Sequence, residues 1–167
     1  PDDIGISGLR PADERFHARF SAVRKTYRYR IRTGSRKNVF ERRYVWQLGE
    51  KLDVSAMKAG AVLLEGTHDY TSFCGNKHMK KSAVRTVEQI EITEKDGVLQ
   101  LDFTGDGFLQ NMVRILVGTL VEIGEGKRKA EELPDVLAAG NRARAGFTAP
   151  PQGLCLLQVD YGKEWML

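Results

Sequence analysis

Residues 86–124 read "TVEQIEITEKDGVLQLDFTGDGFLQNMVRILVGTLVEIG", and the hydrophobic period changes part-way along. Up to Gly105 apolar and polar residues alternate on both sides of Asp96-Gly97. Two alternating runs about an Asp-Gly pair predict an antiparallel hairpin. Beyond it the pattern predicts a helix from about Leu109 to Gly124, with Gly124 and Gly126 ending it. From Met112 to Ile123 that helix is apolar nearly all round, which is the mark of a buried helix. One full charge, Arg114, interrupts its first half, with Gln110, Asn111, Val117 and Gly118 three and four positions away. A buried guanidinium without a partner is costly. Arg114 therefore either reaches solvent from a helix edge, its stem lying on apolar surface, or has a partner.

Working outward, residues 16–32, "FHARFSAVRKTYRYRIR", alternate as a strand does. Val23, Lys25, Tyr27, Tyr29 and Ile31 fall on one face, and Arg24, Thr26, Arg28, Arg30 and Arg32 on the other. Residues 34–43 form a polar loop. Asp53 is placed to cap a helix from Val54 to about Glu65, stopped by Gly66. Residues 67–85 read as an irregular basic connection. A short helix is expected from Pro134 to Ala139, with proline in its first turn, and "GLCLLQVDYG" reads as a last strand. Strands, a hairpin and two or three helices in this order predict an α+β domain: an antiparallel sheet with helices packed on one face.

A chain of 167 residues is one domain or a large piece of one, and 41% hydrophobic residues suffice for a sizeable core. The net charge of +4 favours an acidic partner such as nucleic acid. No apolar run has the length of a membrane span. Cys74 and Cys155 match no metal or redox spacing, so a reduced, cytoplasmic setting is the simplest expectation. Pro1 is no initiator residue, and "PDDIGISGLRPADERFHARF" reads like the middle of a longer protein.

Several segments carry residue types that chemistry uses. "RKTYRYRIR", residues 24–32, offers a row of cations on one strand face and two tyrosines on the other. Cations suit phosphates and an aromatic face stacks on an unpaired base, but a half-buried strand with a solvated face gives the same pattern. His17 is a general base or, more commonly for a lone histidine, a structural hydrogen-bonding residue. His68, His78 and Cys74 loosely mimic zinc ligands at spacings that fit no standard pattern, with a fourth ligand missing. "TGDGF", residues 104–108, lacks the further glycines and the lysine of a phosphate-cradling loop and reads as a turn into the helix. Pro150, Pro151 and Gly153 form a rigid lead-in that can hold Leu154 at a cleft edge.

Taken together, "FHARFSAVRKTYRYRI", "GTHDYTSFC", "RTVEQIEI", "GFLQNMVRILVGTLVEIG" and "APPQGLCLLQVDY" resemble the TruA-type tRNA pseudouridine synthases, in order and at plausible spacings from Phe16 to Tyr161. The resemblance implies two α+β halves facing each other across a cleft. This chain, residues 1–167, looks like the C-terminal half only. The family's nucleophilic aspartate lies in a motif resembling G-R-T-D-A-G-V-H, which does not occur here; Asp69, Asp102, Asp106 and Asp160 sit in other contexts. By position Arg114 matches the arginine that pairs with that aspartate. Tyr27 matches the tyrosine that packs on the target base and is a candidate proton acceptor, and Leu154 the apolar residue of the same pocket. Arg24, Lys25 and Arg28 would hold the RNA backbone. Two histidines that precede "MVR" in some members are Gln110 and Asn111 here. The implied reaction turns uridine into pseudouridine in the anticodon stem-loop of tRNA without a metal or cofactor, in a homodimer. The alternatives are a non-catalytic RNA-binding module and a dimerisation domain of the same fold. In this chain alone Arg114 is expected to face water, so that Arg114→Met would be near neutral for stability.

Overall fold

A computed structural model describes residues 2–165. It contains β1 (Ala22–Arg32), β2 (Trp46–Gln47), α1 (Val54–Leu63), β3 (Gly66–Asp69), β4 (Val84–Lys95), β5 (Val98–Gly105), α2 (Met112–Gly124), α3 (Leu133–Ala138) and β6 (Leu154–Tyr161). The six strands form one sheet in the order β2-β1-β5-β4-β3, with β6 also paired to β1. The fold is α+β, as expected. The sheet is mixed rather than purely antiparallel, because Ile31 and Arg32 pair in parallel with Trp46 and Gln47.

The hairpin forms where the alternation put it. Asp96 and Gly97 both have positive φ, 53° and 70°, the geometry a two-residue hairpin turn requires. Leu99, Leu101, Phe103 and Gly105 of β5 are buried, while Gln100, Asp102 and Thr104 between them are half-buried. On β4 the buried residues are Val87, Ile90 and Ile92. The three-residue step marks a bulge, where Val87 pairs with Gly105 but Gln89 pairs with Thr104. The extra residue, Glu88, turns the later residues back onto the core face.

Asp53 caps α1 as expected, its Oδ1 accepting from Ala56 N at 2.9 Å. The helix ends at Leu63 rather than Glu65, because residues 66–69 form β3 against β4. The stretch after Gly66 is therefore not wholly irregular; it holds a strand and a 3₁₀ turn at Thr71–Phe73. The lone histidines have structural partners. His17 Nδ1 accepts from Arg19 N at 3.1 Å, and His68 Nε2 bonds Glu65 O at 2.8 Å.

α2 is the centre of the domain. Eleven of its thirteen residues are buried, Arg114 and Glu122 being the exceptions. It starts at Met112, three residues later than expected, because Asn111 has a left-handed φ of 59° that no helical turn can include. Ile115, Leu116 and Leu120 share one core with the sheet's Tyr29, Leu101 and Phe103. The side of α2 that a sheet alone would leave open is covered by a strap, residues 145–150. Gly146 N donates to Thr119 Oγ1 at 2.9 Å, Phe147 N to Glu122 Oε1 at 3.2 Å, and Ala149 N to Arg114 O at 3.0 Å. A Cβ on Gly118 would lie 1.9 Å from Phe147 O, so the strap crosses the helix where the helix has no side chain. An all-round apolar helix is thus explained by cover on two sides.

Candidate active site

β1 delivers Tyr27, α2 delivers Arg114, and the first residue of β6 is Leu154. The three line one cavity of about 130 Å³, together with Phe108, Leu109, Asn111, Met112 and Val113. They come from segments far apart in sequence and meet because β6 folds back beside β1, with Leu154 opposite Tyr29. The lead-in to β6 is anchored on β1: the Tyr29 hydroxyl donates to Pro150 O at 2.6 Å, and Gly153 lies flat against the Tyr29 ring. Burial raises the Tyr29 pKa, with the positive charge of Arg114 pulling weakly the other way, so the hydroxyl stays a donor.

Tyr27 is half-buried, and its ring meets Phe108 edge to face with centroids 5.3 Å apart. Phe108 was not singled out in the sequence, although "TGDGF" does turn the chain into the helix: Asp106 accepts from Thr86 N at 3.0 Å and anchors the turn to β4. An aromatic residue directly after such a turn was the signal available.

Arg114 neither faces water freely nor pairs with a carboxylate. Its Nε donates to Ala149 O at 2.6 Å and its Nη1 to Asn111 Oδ1 at 3.1 Å. The expectation of an unpartnered arginine is corrected here, because the strap brings a backbone carbonyl to the guanidinium. No carboxylate among the described residues forms an ion pair with it. Nη2 takes part in neither bond. Asn111, whose role beside the helix start was open, gives α2 no side-chain cap and instead positions Arg114.

The three cations around Tyr27 lie on both sheet faces, as the alternation of β1 predicts. Lys25 shares Tyr27's face. Arg28 points to the other, where it grips Asp102 of β5 through two bonds of 2.8 and 2.7 Å. That hydrogen bonding raises the Arg28 pKa, against the opposing effect of burial. Arg24 pairs with Glu88, the bulge residue of β4, at 2.9 Å.

This combination of motifs and geometry has counterparts. The tRNA pseudouridine synthase family matches residues 61–162. The chain belongs to this family. It is 47% identical to tRNA pseudouridine synthase A 1 of Bacillus cereus (strain ATCC 10987 / NRS 248), over 96% of this chain and 65% of the relative. It is 47% identical to tRNA pseudouridine synthase A of Geobacillus sp. (strain WCH70) over the same shares. The corresponding protein of Protochlamydia amoebophila (strain UWE25), tRNA pseudouridine synthase A 1, is 43% identical over 98% of this chain and 65% of its own length. The chain thus spans about 65% of the length of these pseudouridine synthases.

Proposed function

We propose that this chain is the C-terminal, base-holding half of a tRNA pseudouridine synthase that isomerises uridine in the anticodon stem-loop. The observation that carries this reading is the convergence of Tyr27, Leu154 and Arg114 on one cavity. The target uridine must leave the base stack to be reached. Tyr27, Phe108 and Leu154 offer it an apolar and aromatic wall. The nucleophile is an aspartate on a companion half, and Arg114 is its ion-pair partner. Held by two neutral acceptors, the guanidinium has no counterion among the described residues and is already aimed at a carboxylate partner. The bond from the sugar to uracil N1 breaks, the base turns, and a bond from the sugar to C5 forms. The C5 proton then leaves, with Tyr27 the candidate acceptor, and N1 takes up a proton, so that the base ends with the same atoms. The reaction calls for no metal or cofactor.

The homodimer and the cytoplasmic setting belong to the same proposal. Among the described residues β6 pairs with β1 alone and leaves Leu156 and Leu157 about half exposed, so its outer edge is open to a further sheet. Both cysteines are free thiols, which suits a reducing compartment.

Two measurements test the reading. Incubated with uridine-containing tRNA, the 167-residue chain is expected to make no pseudouridine, because the G-R-T-D-A-G-V-H-like motif is not in it. Turnover above a blank would show that one of its own aspartates is the nucleophile. In the complete protein, Tyr27→Ala is expected to reduce kcat by at least about 10²-fold, the scale of a lost acid–base residue. Its tRNA Kd should change by less than about fivefold, since phosphate contacts dominate affinity. Equal losses in binding and turnover would reduce Tyr27 to a strand residue of the core.

A further inference from the structure

A second cavity, of about 650 Å³, lies beside the first. Thr71, Asn76, Lys77, Asn141 and Arg142 line it, and none of its lining residues is acidic. Two chain segments separate the cavities. The first is the single residue Gly75, whose N–H donates to Gln110 O at 2.8 Å. A Cβ there would lie 2.9 Å from the side chain of Asn111, the residue that holds Arg114. Its neighbours on either side, Cys74 and Asn76, both line the second cavity. The other segment is the strap. Arg114 grips it at Ala149 O, and Arg142 grips it from the second cavity, Nη2 to Thr148 Oγ1 at 3.1 Å and Nη1 to Ala145 O at 3.4 Å.

The two arginines are built alike. Each holds the strap through neutral oxygens, and neither forms an ion pair among the described residues. Removal from water lowers the Arg142 pKa, with the negative charge of Glu122 acting the other way. Lys77 adds a second cation to the same wall and likewise has no ion pair among the described residues. An arginine fork, a lysine point charge and two amides around a cavity without carboxylates are suited to an anion with several acceptor oxygens.

We propose that this cavity receives a phosphodiester of the tRNA strand next to the flipped uridine, with Arg142 and Lys77 as its ligands. The assignment rests on the uridine pocket proposed above, to which this cavity is linked through Gly75, packed between Cys74 and Asn76 on one side and Asn111 on the other. Its role is positional: a strand held on the Arg142 side is held one nucleotide or so from the base that enters against Tyr27.

The test uses the complete protein, with binding to a tRNA anticodon stem-loop measured over a range of KCl concentrations. Lys77→Ala and Arg142→Gln are each expected to weaken binding about 5–10-fold near 0.1 M salt and to raise KM for tRNA by a similar factor. Each should lower the slope of log Kd against log [KCl] by about 0.7–0.9, the value of one lost phosphate contact. Arg142→Lys, which keeps the charge, is expected to restore the slope. Arg142 also holds the strap, so Lys77→Ala decides the matter if Arg142→Gln does not fold. Unchanged Kd and slope in Lys77→Ala and in any folded Arg142→Gln, with a wild type that binds and modifies tRNA, would overturn this assignment and leave the uridine pocket standing. A reduced kcat without a change of slope would overturn it too, leaving Arg142 a purely structural clamp. A wild type that does not bind tRNA would overturn both readings.

Discussion

Arg114→Met in the complete protein is expected to reduce pseudouridine formation by at least about 10²–10³-fold, the cost of removing a preorganised electrostatic partner at a reacting centre. Binding of tRNA should change little, because in the proposed mechanism the guanidinium serves a carboxylate rather than a phosphate. The same substitution is expected to destabilise the 167-residue chain by about 1–3 kcal/mol. Two hydrogen bonds from a charged donor are lost, each worth roughly 1.5–3 kcal/mol when well sheltered. Arg114 is only part-buried, so the figure is reduced from their sum. Methionine fills similar space and suits a helix, but it cannot serve Ala149 O, whose residue is fully buried. Urea denaturation of the chain and single-turnover assays of the complete protein measure the two effects. A neutral result in urea would mean that water replaces the lost bonds at no cost. Retained turnover would remove Arg114 from the chemistry altogether.

Gly118→Ala is expected to cost the chain about 3 kcal/mol or more. Inside a helix this exchange ordinarily stabilises by up to about 1 kcal/mol, since alanine is the better helix former. Here the added methyl would sit 1.9 Å from Phe147 O and 2.9 Å from Phe147 C, both backbone atoms that no rotamer change can move. Overpacking a rigid site costs about 1–3 kcal/mol and sometimes more, so the clash outweighs the propensity gain. At roughly 2–4 °C per kcal/mol for a chain of this size, Tm should fall by about 6–12 °C. The strap would also lift, separating Ala149 from Arg114 and Thr148 from Arg142. A Tm within about 2 °C of wild type would show that the strap re-seats freely and does not position either arginine.

Long periodic segments were legible in the sequence. The Asp96-Gly97 turn, the alternation of β1 and the Asp53 cap each announce a local structure that local chemistry suffices to build. β2 and β3 were not legible. "WQ" and "GTHD" carry no alternation of their own and become strands only because β1 and β4 offer them an open edge. The start of α2 was misplaced for a similar reason: "GFLQNM" looks helical until Asn111 turns left-handed to reach Arg114. At the site, family resemblance singled out Tyr27, Arg114 and Leu154. Periodicity could not bring them together, since a cavity between a strand, a helix end and a strap has no local pattern. Nor could it say which arginines of β1 were free. The answer depends on Asp102 and Glu88, two carboxylates far along the chain that come into register only through strand pairing.

The pairing of β1 with β6 sets a schedule for biosynthesis. β1 ends at Arg32, and the strand that covers its outer edge begins at Leu154. With roughly 120 residues between them and a ribosome adding about 5–20 per second, the edge of β1 waits for about 6–24 s after it is made. During that interval the strap residues and Leu154 are also missing, so neither arginine has its seat. Within this chain the tyrosine of the site is made well before its opposite wall, Leu154. A pause late in the message, or a nascent chain released early, would leave a sheet with an unpaired edge of backbone donors and acceptors. The cell's chaperones would meet that species before any RNA did.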